Sequence, residues 1–138
     1  MNEECMRQVA TFIVSENFMD LAFRFMDEHD DIFQIERECK SGFEHKLEFT
    51  DVHRQFVDTF ENLLERYIFD IGSTVEDVYT YASNRCEIDE AGDSVVSMVQ
   101  SIITLFEYDV FASVMVDKEK RRYLRQITDS WRNTLNTY

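Results

Sequence analysis

The sequence predicts an all-α fold, organised as a single compact domain of about six helices over residues 1–138. Three observations support this prediction. The chain has 138 residues, of which 44% are hydrophobic, which suffices for one ordinary core. It contains no proline and only three glycines, so residues that break helices are scarce. Apolar residues recur at steps of three and four, as they do on one face of a helix.

The first two predicted helices lie in the N-terminal third of the chain. The first spans about residues 3–14, where four apolar residues follow the helical period. Ser15 or Asn17 can cap the second helix, because both side chains accept bonds from free backbone N–H groups. The second helix is apolar around much of its circumference and is therefore expected to be central to the core. One side of it carries Phe18, Ala22, Phe25, Met26 and His29.

Residues 34–49 lose this periodicity and are rich in charge, so a connection is predicted there, with room for a short helical turn at its start. The third helix is predicted to begin at Thr50, whose hydroxyl can cap it, and to end at Gly72, which tolerates a left-handed conformation. Its apolar stripe is Val52, Phe56, Phe60, Leu63, Leu64, Tyr67, Ile68 and Ile71. The stripe is wider than docking on one neighbour requires, so part of it is expected to meet a partner.

The remaining segments alternate between helices and short breaks. Ser73 and Glu76 have the spacing of a capping box and predict a short fourth helix. Residues 84–92 are polar and predict a loop, and residues 93–123 predict two helices or one helix bent near residues 107–109. Residues 117–132 carry six basic and three acidic side chains. They are predicted to form a solvated last helix, with a nucleic-acid or lipid contact as the minor alternative.

Composition also restricts partners and compartment. The formal net charge of −14 disfavours nucleic acid and anionic membrane surfaces as partners. The most apolar window, residues 95–116, is interrupted by Gln100, Glu107 and Asp109, so no membrane insertion is expected. The cysteines are odd in number, lack a C-x-x-C pair and follow an acidic N-terminus, which favours free thiols in a reducing compartment. They are Cys5, Cys39 and Cys86.

The sequence contains no familiar catalytic or metal-binding motif. Nucleotide-binding glycine motifs and H-E-x-x-H are missing, and no glutamate lies three residues before a histidine. Residues 27–31 resemble part of a calcium loop, but Ile32 stands where that loop requires glycine. Cys39, His45 and His53 have no standard zinc spacing. We therefore expect a protein that is not an enzyme and that carries neither cofactor nor metal. His29 and His53 are assigned to helix ends.

A longer pattern goes beyond helical periodicity. Residues 25–29 (FMDEH), Phe33, residues 44–50 (EHKLEFT), residues 53–56 (HRQF), residues 63–65 (LLE) and Ile68 together resemble the BART domain family of binders of Arf-like GTPases. A ciliary coiled-coil protein shares this domain. The resemblance covers about residues 9–117, with residues 118–138 left as a basic C-terminal helix and tail. His45 stands where the family usually has asparagine.

This resemblance implies a function without catalysis. Members of the family are effectors that prefer the GTP-bound form of an Arf-like small GTPase and receive its N-terminal amphipathic helix in an apolar groove. The groove residues that we expect are Phe60, Leu63, Leu64, Tyr67, Ile68, Val78, Tyr79, Val99, Ile102 and Phe106. For each of them, plain core packing is the alternative. Aspartate at Leu64 or Ile68 is expected to abolish binding without unfolding the domain.

The resemblance leaves a second function open. The same stripe can serve a constitutive scaffold that binds another helix or a second copy of itself. We expect a protein that is monomeric when alone and cytoplasmic, with the cilium or flagellum and the centrosome as more specific alternatives.

Overall fold

The computed structural model describes residues 3–39, 46–88 and 94–136, and these form eight helices without any strand among them. The helices are α1 (Glu3–Ile13), α2 (Met19–Glu28), α3 (Asp30–Cys39), α4 (residues 46–70), α5 (Val75–Ile88), α6 (Ser94–Ile103), α7 (Tyr108–Val116) and α8 (Lys118–Asn136). The prediction of an all-α fold is confirmed. The predicted number of about six is too low, mainly because α3 falls in the segment predicted to be a connection.

The boundaries of the predicted connection were wrong on both sides. Helix α3 continues to Cys39 and α4 already begins at Lys46, so Thr50 lies inside α4 and does not cap it. The segment was assigned as a connection because it is highly charged, but Glu, Lys and Arg are good helix formers. His45, at which the sequence departs from the family pattern, lies outside the described residues, as does the rest of residues 40–45.

Helix α4 contains one widened turn that explains its long stripe. Residues Val57–Glu61 form a π-turn between the α-helical stretches Lys46–Phe56 and Asn62–Asp70. In a straight α-helix, residues spaced by four drift by roughly 40° at each step. The wider turn takes up part of that drift. All five residues of the four-step series are therefore buried: Val52, Phe56, Phe60, Leu64 and Ile68.

Helix α4 ends as predicted at Gly72, which has a φ of +85°. The N–H of Ser73 donates to the carbonyl of Ile68, and the N–H of Gly72 donates to the carbonyl of Phe69, both at 3.0 Å. This pair of bonds is a Schellman motif. The predicted cap of the next helix is displaced by one residue, because Thr74 and not Ser73 caps α5. The hydroxyl of Thr74 accepts the N–H of Asp77 at 3.1 Å.

The second half of the chain is partly as predicted. Helix α5 runs to Ile88, so the loop predicted for residues 84–92 was wrong up to that residue, and residues 89–93 lie outside the described part. The predicted bend is confirmed, since a 3₁₀ turn at Thr104–Phe106 and extended backbone at Glu107 separate α6 from α7. The two helices meet at 91°. In the described part of the chain, no single helix is long and apolar enough to span a membrane, although this bent pair passes by length and composition.

Aromatic side chains connect α1, α3, α4 and α7 through the core. Helices α1 and α5 pack on α6, while α3 and α4 pack on α7. A continuous series of ring contacts runs from one end of this arrangement to the other, with neighbouring centroids 4.2–6.3 Å apart. It contains Tyr67, Phe12, Phe18, Phe60, Phe56, Phe111 and Phe33. Such ring pairs add stability beyond that of their buried area, so this series fixes how the helices pack.

The basic helix α8 is solvated on one face only, where Lys118, Lys120 and Arg122 are exposed, and its other face packs on the domain. Arg121, with its side chain only 7% exposed, donates to Asp30 at 2.6 Å. Arg125 donates to Asp27 at 2.5 Å. Arg132 donates to Asp20 at 2.9 Å and to the carbonyl of Val14 at 2.8 Å. Its cations therefore hold α8 against α2, α3 and the end of α1.

Candidate functional site

A groove opens where α4 ends and α5 begins. It has a volume of about 450 Å³, and we call it the α4/α5 groove. Its lining consists of Glu65, Arg66, Phe69, Asp70, Ser73, Thr74 and Val75. Phe69 lies on the solvent side of α4 and is 77% exposed, which is unusual for a phenylalanine. An exposed ring beside a concave surface is typical of an interaction site.

The helix cap described above determines where the Phe69 ring lies. Its carbonyl accepts the N–H of Gly72, while Ile68, the preceding residue, is fully buried and anchors the turn. Consecutive helix residues differ by about 100° in direction, so burying Ile68 turns Phe69 away from the core. Thr74 then starts α5 with Val75, which packs partly against the core and forms the opposite wall.

Two carboxylates on α4 face Tyr79 of α5 beside the groove. Burial, and then the charge of Glu65, raises the pKa of Glu61. Burial, followed by the charges of Glu61 and Glu65, raises the pKa of Tyr79 to about 12, so this phenol is protonated at neutral pH. Among the described residues neither carboxylate takes part in an ion pair, although Arg66 also lines the groove. We call Glu61 and Glu65 the acidic pair.

Most of the residues predicted for the groove lie in the core of the free chain. Six of the ten are at most 3% exposed: Phe60, Leu64, Ile68, Val78, Val99 and Ile102. They lie on α4, α5 and α6, where they belong to the hydrophobic core. Their direct contact with a partner stays a prediction.

The other four predicted residues are partly exposed but do not form one surface. Tyr79 lies beside the acidic pair. Tyr67 stacks on Phe12 of α1, with centroids 4.2 Å apart and rings 3° from parallel, and Leu63 packs partly against the core. Phe106 lies at the bend between α6 and α7, where its centroid is 6.0 Å from that of Phe56. Phe56 precedes Phe69 by 13 residues, about 20 Å along the helix, so Phe106 is remote from the α4/α5 groove.

None of the seven residues that line the α4/α5 groove was among the ten predicted ones, and this includes its two apolar members, Phe69 and Val75. Phe69 was missed because it does not follow the apolar stripe of α4. That break in phase is the signal that could have identified it, since a large aromatic residue off the core face is left to solvent. Val75 was not predicted because it lies at the first position of α5, where the sequence pattern indicates only how the helix is capped.

Of the histidines and cysteines considered from the sequence, the described Cys5, His29 and His53 lie apart from the α4/α5 groove. In the described ranges no three His, Cys, Asp or Glu residues are grouped for a metal ion. The side chain of Cys5 is half-buried, and the side chains of Cys39 and Cys86 lie outside the description. The Nδ1–H of His29 donates to the carbonyl of Phe25 at 2.8 Å, at the end of α2. His53 lies well inside α4, not in its first turn, and packs against Tyr108 and Phe111 of α7.

Comparison with known proteins gives one family match. A family model described as the ARF-like 2 binding protein BART matches residues 1–124, which is most of the chain and slightly more than the resemblance covers. The matched family is one of binding domains and not of enzymes. No solved structure matches the chain. The matched region includes the whole of α4, α5 and the groove between them.

Proposed function

Because the chain belongs to the family of the ARF-like 2 binding protein BART, we propose that it is an effector that binds the GTP-bound form of an Arf-like small GTPase. It receives the N-terminal amphipathic helix of the GTPase in the α4/α5 groove. The family match supports the class of partner, and the exposed ring of Phe69 is the observation that supports binding of a helix in this groove.

The physical character of the groove suits this mode of binding. An amphipathic helix inserts its apolar face between two helices and keeps its polar face in water. Phe69 and Val75 offer the apolar contact, and the buried Ile68 and Val78 behind them keep the walls in place. The net charge of −14 also steers a partner whose helix is flanked by basic residues.

A titration in three arms tests the proposal. The chain is titrated with an Arf-like 2 GTPase loaded with a non-hydrolysable GTP analogue, with the same GTPase loaded with GDP, and with the GTP-analogue form lacking its N-terminal helix. We expect tight binding only in the first arm. Equal affinity for both nucleotide forms would refute the effector role, and undiminished binding without the helix would refute the groove mechanism.

The proposal includes a monomeric protein that acts in the cytoplasm, without direct insertion into a membrane and without nucleic acid as a partner. Light scattering at micromolar concentration tests the monomer, because a dimer formed in the absence of GTPase would favour the self-associating scaffold. Imaging of the tagged protein distinguishes a general cytoplasmic location from the cilium, flagellum or centrosome.

A further inference from the structure

We propose that the acidic pair, Glu61 and Glu65, binds a Lys or Arg side chain of the helix that occupies the α4/α5 groove, and so selects a cationic amphipathic helix over a neutral one. This inference rests on the proposed function and specifies the chemistry that the partner helix must carry. The acidic pair would act as a specificity determinant, separate from the apolar contact that Phe69 provides.

Among the described residues, no basic side chain forms an ion pair with Glu61 or Glu65. Glu61 and Glu65 lie one turn apart on α4, where like charges destabilise a helix. By contrast, Asp20, Asp27 and Asp30 each accept a bond from an arginine of α8 at 2.5–2.9 Å. Two carboxylates that lower helix stability and have no ion pair are well placed to receive a cation from outside.

The spacing of side chains along α4 also supports this proposal. Glu65 and Phe69 are four residues apart and both line the groove, so the carboxylate and the exposed ring lie side by side, one turn from each other. A partner helix that packs against Phe69 with an apolar residue would thus present a basic residue one turn away to Glu65. Tyr79 of α5 lies close enough to be influenced by the charges of both carboxylates.

The charge around the α4/α5 groove indicates which kind of partner can bind there. The acidic pair and Asp70 outnumber Arg66 around the groove, so the local charge is negative and complements a basic partner. A second copy of this chain is a poor candidate, because its formal net charge of −14 repels the same acidic surface. A different protein with a basic, amphipathic helix fits better.

Two synthetic helical peptides with the same apolar face, one flanked by lysines and one by glutamines, test the inference. They are titrated against the wild-type chain, E61Q/E65Q and the control E16Q/D109N, which removes two exposed acids outside the groove. We expect the wild type and the control to prefer the lysine peptide by about 5- to 20-fold and E61Q/E65Q to lose this preference. High salt should reduce the preference, because partly exposed charges are screened.

A parallel titration of the same three proteins with the GTP-analogue form of the Arf-like 2 GTPase separates this inference from the proposed function. If the GTPase binds the wild type and E61Q/E65Q equally, the inference is overturned and the effector role stands. If the GTPase does not bind but the lysine peptide is preferred through the acidic pair, the effector role fails and the selection of cationic helices stands. Equal binding of both peptides, or of neither, by the wild type overturns the inference. Thermal unfolding checks that E61Q/E65Q is correctly folded. Its melting temperature should be unchanged or raised, because the variant removes the repulsion between the two carboxylates.

Discussion

Replacing Phe69 with alanine is expected to remove most of the partner affinity and to leave the fold intact. A fully buried phenylalanine removes roughly 150–250 Å² from water. Because 77% of this residue is exposed in the free chain, a partner that covers it buries about 150 Å² more. At about 25 cal/mol per Å² this gives an upper value of about 4 kcal/mol. Allowing for the costs of association, we expect a loss of about 2–4 kcal/mol, or about 30-fold to nearly 1,000-fold in Kd.

The adjacent residue provides a matched control. Ile68 is 0% exposed, so Ile68→Ala leaves a cavity and should cost about 2–5 kcal/mol of unfolding free energy. The same burial changes the expectation for aspartate at Leu64 or Ile68. A charge without a partner at a position at most 1% exposed should unfold the domain, so the loss of binding by such variants would not identify the groove.

Two measurements on the same protein preparations test the expected difference between Phe69→Ala and Ile68→Ala. Calorimetric titration with the GTP-analogue form of the GTPase gives Kd, and chemical denaturation gives the free energy of unfolding. The expected pattern is a large change in Kd with unchanged stability for Phe69→Ala, and a large loss of stability for Ile68→Ala. The reasoning is refuted if Phe69→Ala binds within twofold of the wild type, or if its stability falls as far as that of Ile68→Ala.

Three further predictions concern stability. Arg121→Met should lower the free energy of unfolding by about 2–3 kcal/mol, between the values for exposed and buried ion pairs, because Asp30 loses its 2.6 Å bond to the arginine. An unchanged denaturation midpoint would contradict this. Burial lowers the pKa of His53 below its ordinary 6.5, so its contribution to stability is present above pH 6.5 and is lost as the pH falls through the lower pKa of the folded state. The free energy of unfolding, measured from pH 7.5 to 5.5, should therefore depend less on pH in His53→Phe than in the wild type. An equal pH dependence in both proteins would exclude His53 as the cause. Gly72→Ala should cost about 1–2 kcal/mol although nothing lies within 4 Å of an added Cβ, because a φ of +85° is strained for alanine; a rise in melting temperature would contradict this.

The sequence predicts the helical class, the bend near residue 107 and the end of α4 at Gly72, because these depend on local signals. Periodicity, scarce helix breakers and a glycine that can adopt a left-handed conformation act within a few residues of where they stand. The extent of α3 and the start of α4 were not predictable in this way. Their residues are charged, and charge alone does not distinguish a solvated helix from a connection.

The candidate site was harder to predict than the fold because it depends on contacts between distant residues. A wide stripe on α4 shows that much apolar surface is present, but not which edge of it the other helices cover. Phe12 of α1 covers Tyr67, whereas no described helix covers Phe69, which is 77% exposed. The pairing of α8 arginines with aspartates of α2 and α3 similarly joins residues 91–112 positions apart, which no local pattern reveals.

The position of Phe69 also has a consequence for affinity. Its carbonyl is held by the cap at Gly72 and its neighbour Ile68 is locked in the core, so the backbone that carries the exposed ring has little freedom to lose on binding. A preorganised contact costs less conformational entropy when the partner arrives. A change that loosens the cap while sparing the ring should therefore weaken binding as well as stability. Gly72→Ala is such a change, and a loss of affinity in this variant at a temperature where it is fully folded would show that the cap, and not only the ring, contributes to recognition.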